Sequence, residues 1–363
     1  MRTPWGDLDD LNLSDTKLGE AILCGDKHQL VEGMVVECLF DQFLESLSVG
    51  TPGVVALNVE TAIAQPRKYG DKKIAIVWAR EKVTGLGRYL QALETKFQVF
   101  VVEYRPDLGF FGHRRENGAR SGQFMAIDDL LAPVAAQNYR EFRVSSEVRN
   151  DRRLREAIWG FLFPHHGEKI AEKVLLPRLL MNCGIQPWFR FAWNVDRIFL
   201  VDDQLWLFEV KHKFPFSDRD TDDLIFGLNN GEVTNFSLLA DCGIRTLFSI
   251  MVKPKWSKTI GSLYMMTDLK ARENTAVIGK VLDSARLKRL MGTSSGTTGS
   301  DTTITGDKNA LLKYKSILAQ EFGLFGRFSD RPSDLAAKMV EEMRGITSPR
   351  VRDEELKSLR MPF

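Results

Sequence analysis

The side chains best equipped for chemistry lie between Asp196 and Lys211, in DRIFLVDDQLWLFEVK, where two β-rich runs flank the polar pair Asp202-Asp203. Such a pair suits the two-residue loop of a tight hairpin. Val201 then faces Gln204, and counting back along both strands sets Asp196 opposite Glu209, their carboxylates on one face about 5 Å apart. The neighbours on both faces, among them Ile198, Leu200, Trp206 and Phe208, are apolar, so water would screen two like charges poorly. A divalent cation answers that repulsion through the ligands it prefers, hard carboxylate oxygens, and Mg²⁺ keeps positions for water and phosphate oxygens. Lys211, two residues beyond Glu209, falls on the same face. Its ammonium could orient a water and offset charge on a phosphate, and its neutral amine could deprotonate that water. Metal plus lysine is the equipment for phosphodiester hydrolysis. An E-x-K in isolation is more often a partly exposed ion-pair cluster on a sheet edge, and short patterns recur by chance; the hairpin register and the helix upstream set this one apart.

That upstream helix carries Glu168 and Glu172, four residues apart and so on one face, and is followed by a turn at Asn182-Cys183-Gly184 and a strand running into Asp196. In this order of parts the sequence resembles the PD-(D/E)xK nuclease superfamily, the fold of many restriction enzymes, resolvases and repair nucleases. The resemblance covers roughly residues 165–255, and Glu209-Val210-Lys211 is its specific part. It implies a restriction-endonuclease-like mixed sheet flanked by helices. It also implies that Asp196 and Glu209 bind Mg²⁺, or Mn²⁺ in its place, with help from the Val210 carbonyl. Lys211 would serve the attacking water, and Glu172, with Glu168 as its rival, would complete the metal shell. The chain departs from the family pattern in having Val195 before Asp196 where proline is usual, and in Pro177 inside the proposed helix, where a proline costs about 3 kcal/mol unless a kink absorbs it.

The elements that must position these residues fall into two α/β lobes. Over residues 1–108 apolar residues recur at helical spacing from Gln29 to Leu47, then GTPGVVALNVETAI, DKKIAIVWA and FQVFVVEY read as strands, with helix GLGRYLQALETK before the last. Residues 109–164 read as a basic connecting segment. Residues 165–290 form the nuclease-like domain, whose later parts are a helix around Asn229 to Ala240 and strand TLFSIMV. Residues 291–307, including GTSSGTTGSDTTITG, are small and polar, as a flexible linker would be. Residues 308–363 read as a helical tail, with one helix from Lys308 to Glu321 and another from Pro332 to Arg344 that Ser333 caps and Gly345 ends.

The first lobe can be laid over the second. Asn58-Val59-Glu60 matches Asn194-Val195-Asp196, and residues 74–80 match 205–211, with Trp78 and Arg80 where the chemistry would need Glu and Lys. Glu37 precedes Glu60 by 23 residues, much as Glu172 precedes Asp196 by 24. An internal repeat that lost its metal site and kept its scaffold accounts for this; two unrelated α/β lobes that look alike by chance account for it equally well.

Lys+Arg and Asp+Glu number 50 and 48, so bulk charge does not announce a nucleic-acid binder and any basic surface must be local. Phe110 to Arg115, with Arg120, combines cations, aromatics and glycines, as phosphate contact and base stacking require. Arg114, Arg115, Arg120 and Lys213 are the candidate contacts. The four cysteines lack the paired spacing of a zinc site and read as buried thiols. No stretch is apolar enough to cross a membrane, and the N-terminus lacks the features of a signal peptide, so a cytoplasmic location is expected. The expected function is a metal-dependent nuclease, with DNA as the first substrate and partner. RNA cleavage, or a non-catalytic nucleic-acid or protein-binding module, stands as the alternative. Dimerisation or a targeting partner would suit double-strand cutting.

Overall fold

The computed structural model describes all residues except 68, 69, 219, 300–310 and 363. The fold is mixed α/β, and the chain passes back and forth between two units. The first comprises Met1–Val31 and Ala56–Ile198, the second Glu32–Val55 and Phe199–Phe363.

Each unit is built on a six-stranded mixed sheet. Helix α1 (His28–Gly50) leads to β1 (Val54–Leu57), and then come β2 (Val59–Ala64) and β3 (Ile74–Ala79). Helix α2 (Leu86–Glu94) crosses to β4 (Gln98–Arg105), followed by β5 (Gly109–Glu116) and β6 (Ala119–Ala126). Helix α3 (Arg152–His166) precedes β7 (Ala192–Val195). The second unit then adds β8 (Arg197–Val201), β9 (Gln204–Lys213), β10 (Leu224–Asn229), helix α4 (Asn230–Asp241) and β11 (Ile244–Val252). Strands β12 (Ala276–Leu282), β13 (Leu311–Leu318) and β14 (Gly323–Arg327) and helix α5 (Pro332–Met343) follow, and a short helix at Asp353–Ser358 comes last.

The first sheet runs β6-β5-β4-β3-β2-β7 and the second β14-β12-β11-β9-β8-β1. In the first, β2 and β3 are antiparallel, α2 carries the chain across so that β4 is parallel to β3, and β5 and β6 add antiparallel strands. In the second, the β8–β9 hairpin is followed through α4 by β11, parallel to β9, and then by antiparallel β12 and β14. The strand plan is the same. The outer strand is exchanged: β1, just upstream of β2, ends the second sheet, and β7, just upstream of β8, ends the first.

The central strands are nearly continuous apolar runs because a parallel pair is covered on both faces. IAIVWA of β3 is buried in five of its six residues and LFSIMV of β11 throughout. The hairpin expected at Asp202-Asp203 forms, and both residues have positive φ, 45° and 67°, as a turn matched to strand twist requires. Arg344 pins the turn, its Nε and Nη2 donating to the Asp202 carboxylate at 2.6 and 2.9 Å.

Several expectations are corrected. The single strand read in GTPGVVALNVETAI is two strands in different sheets. Residues 109–126, read as connection, are β5 and β6, whose Gly109 and turn residues Asn117 and Gly118 adopt the positive φ that a chain reversal needs. The helix expected from Lys308 to Glu321 is instead β13, which pairs with β10. Gly296–Gly299, in the expected linker, is a strand on β13, while 300–310 fall outside the described residues. Helix α5 forms, but Pro332 occupies its first turn, so Arg331 is the N-cap and Ser333 lies inside. Pro177 sits between two wide turns, Ala171–Leu175 and Leu180–Ile185. Lacking an N–H, it cannot close a regular helical turn onto Lys173. The residues QPW that begin the expected strand QPWFRFA form a tight helical turn, and β7 starts at Ala192. All four cysteines are buried and none is in a disulfide. No helix among the described residues is long and apolar enough to cross a membrane.

Candidate functional site

In the second unit, strand alternation puts Glu209, Lys211 and Lys213 of β9 on one face and Val210 and His212 on the other. The Glu209 side chain is 0% exposed, and Lys211, 27% exposed, approaches its Oε1 to 2.5 Å with Nζ. The same ammonium lies 3.1 Å from Glu232 Oε1. Glu232 is delivered by local sequence logic. It is the third residue of α4, and its Oε2 accepts the N–H of Asn229 at 3.2 Å while the Asn229 side chain accepts the N–H of Gly231 at 2.7 Å, a reciprocal cap. One carboxylate oxygen thus fixes the helix start and the other meets Lys211.

Burial pushes the Glu232 carboxyl up, but Lys211, Lys213 and the hydrogen bonds from Lys211 and the Asn229 N–H outweigh it and hold the group below its ordinary 4.5. A carboxylate lowered by folding stabilises the native state above its unfolded value, and that contribution is lost as pH falls through the native one. Acid unfolding of the wild type should therefore steepen below about pH 4.5, and Glu232→Gln should flatten that limb, as urea titrations between pH 3 and 7 would show. An unchanged limb would mean that Glu232 is not engaged with the lysines.

The Lys213 ammonium donates to the Gly227 carbonyl at 2.8 Å, and burial lowers its pKa; the candidate phosphate contact is turned into the unit. On the other face His212 hydrogen bonds through Nδ1 with Ser262 Oγ at 2.9 Å and through Nε2 with Tyr264 Oη at 3.4 Å. Burial, with Lys253 nearby, drops its pKa well below the ordinary value, so it is a neutral, satisfied core histidine.

Of the other expected site residues, Asp196 is the half-buried residue between β7 and β8, at the chain's crossing from the first unit to the second. Glu172 lies in the first unit, on a wide helical turn, with its carboxylate 3.7 Å from Arg80 Nε. The structure brings Glu209 and Lys211 together with Glu232, one of the polar residues that the sequence offers near this edge, held there by an Asn-x-x-Glu capping box directly after a strand.

The first unit carries its own charge centre. Glu60 pairs directly with Trp78 across β2 and β3. Arg80, just past β3, reaches back with Nη2 to Glu60 Oε1 at 2.8 Å and with Nη1 to Asn58 Oδ1 at 3.3 Å. Its guanidinium stacks 4.3 Å over the Trp78 ring.

The expected nucleic-acid contacts on β5 and β6 are mostly engaged. Arg114 pairs with Glu116 at 3.0 Å and Arg115 with Glu94 at 3.4 Å, while Arg120 donates to the Gly122 carbonyl and packs over Phe124. Phe110 is buried against Trp78 and Tyr104, which removes it from any stacking surface, whereas Phe111 stacks on Phe124.

In comparisons with protein-family models, with curated proteins and with solved structures, this chain matches none.

Proposed function

We propose that the second unit is a restriction-endonuclease-like nuclease that hydrolyses phosphodiester bonds, most simply those of DNA, with Mg²⁺ or Mn²⁺. The observation that carries this reading is a fully buried carboxylate, Glu209, meeting a lysine two residues along the same strand at 2.5 Å. The surrounding order supports it: helix α1, strand β1, the β8–β9 hairpin, helix α4 and β11 parallel to β9. Within this unit the Glu209 carboxylate and the Val210 carbonyl both offer the oxygen that a hard dication prefers. Such an ion would polarise the phosphate and acidify a bound water. Lys211 would orient that water and offset charge developing on the phosphate, and Glu232 would hold the lysine in place. Glu37 of α1, which belongs to this unit and precedes Glu60 by 23 residues as Glu172 precedes Asp196 by 24, is a second candidate beside Glu172 for the helical carboxylate.

The test is incubation of supercoiled, linear and single-stranded DNA, and of RNA, in Mg²⁺, Mn²⁺ or EDTA with wild type, Glu209→Gln, Glu37→Gln and Glu172→Gln. Metal-dependent cutting by wild type and not by Glu209→Gln is expected, and whichever of Glu37→Gln and Glu172→Gln fails to cut identifies the helical carboxylate. No cutting of any polymer, together with calorimetry showing no divalent-ion binding that depends on Glu209, would leave a non-catalytic module in its place.

A further inference from the structure

We infer that Arg80 is a resident cation, a guanidinium standing where the first unit would otherwise take a divalent metal ion. The two sheets share one strand plan, and in it Glu60 opposite Trp78 occupies the place that the hairpin register gives Asp196 opposite Glu209. Arg80, two residues past Trp78, then corresponds to Lys211, two past Glu209. Helix α2 carries Arg88 as its third residue, where α4 carries Glu232. The first unit has therefore lost two carboxylates, at Trp78 and Arg88, and keeps two, Glu60 and Glu172.

The retained pair converges on one cation. The Arg80 side chain is 6% exposed, with Glu60 Oε1 at 2.8 Å and Glu172 Oε1 at 3.7 Å. Its Nη2 also points at the Glu172 carbonyl, 3.4 Å away, and its buried Nε has no hydrogen bond. Two carboxylates, the Asn58 amide oxygen and a main-chain carbonyl form an all-oxygen set around one positive charge, the kind of set a hard dication accepts. A built-in guanidinium satisfies it without exchange and leaves no open coordination position, so the first unit supplies scaffold and no second cutting centre. This inference stands on the correspondence of the sheets and does not require the second unit to cut anything.

Removing the guanidinium should make the set bind metal. Arg80→Met keeps the aliphatic stem over Trp78 and removes the charge; Arg80→Ala removes both. Tb³⁺ is the probe, because Trp78 lies against the guanidinium's position and would sensitise its luminescence. The variants should bind one more equivalent of Tb³⁺ than wild type. The added emission should vanish with Trp78→Phe and the added equivalent with Glu60→Gln, and Mn²⁺ should restore the melting temperature lost in EDTA. A variant that folds only with Mn²⁺ supports the inference equally. Variants that fold yet bind no additional ion, or that fail to fold with or without Mn²⁺, would overturn it.

Discussion

Lys211→Ala is expected to lower metal-dependent cleavage by about 10²- to 10⁴-fold, the range by which one positioned proton-transfer or charge-stabilising group contributes. The same change should destabilise the fold, because Glu209 is fully buried and Lys211 is an ammonium at 2.5 Å from it. Removing one member of a buried pair costs roughly 3–5 kcal/mol, and the partial exposure of Lys211 puts the expectation toward the low end. Lys211→Arg separates the two consequences. An arginine keeps a positive charge between Glu209 and Glu232 but stays protonated at any working pH, so it cannot serve as a base. Melting temperature should return toward wild type in Lys211→Arg while cleavage stays low. Equal cleavage by Lys211→Ala and wild type would remove the lysine from the chemistry and leave it as a structural ion pair.

The hairpin was legible because its signals are local and mutually consistent. Two apolar runs of strand length flank a pair of aspartates that tolerate positive φ, so turn and strands agree on one register. Glu209 and Lys211 follow from that register by simple alternation. The exchange of outer strands was not legible. Residues 54–64 read as one continuous apolar strand, and nothing in VVALNVETAIA marks Asn58 as the point where the chain leaves one sheet for the other. The role read for Glu172 in a metal shell came from the family resemblance and from no local pattern around that residue. In the first unit its carboxylate lies beside Arg80. Arg80 itself was visible where the overlay of the two lobes sets it against Lys211, but its contacts were not: only the folded chain shows that it reaches two carboxylates at once. The strand at 311–318 was missed for a different reason. LLKYKSIL alternates only loosely, and its pairing partner β10 lies more than eighty residues upstream, where no local pattern can report it.

Phe236→Ala is expected to cost about 3–5 kcal/mol of stability and to lower cleavage with it. The ring is fully buried beneath α4, between Val233 and Leu239, and faces Phe248 of β11 at 6.4 Å between centroids. Phe236 lies four residues after Glu232, so the two share a face of the helix and the ring sets the depth at which that face meets the sheet. Truncation leaves a cavity that the helix can close only by sinking or tilting, and either movement shifts Glu232 relative to Lys211, which is held at 3.1 Å. Phe236→Leu fills most of the volume and should lose about 1 kcal/mol with cleavage near wild type. Urea unfolding and single-turnover cleavage measured on the same preparations would check both. If Phe236→Ala lost its stability and yet cut at the wild-type rate under conditions where it is folded, the position of α4, and with it Glu232, would have no part in the reaction.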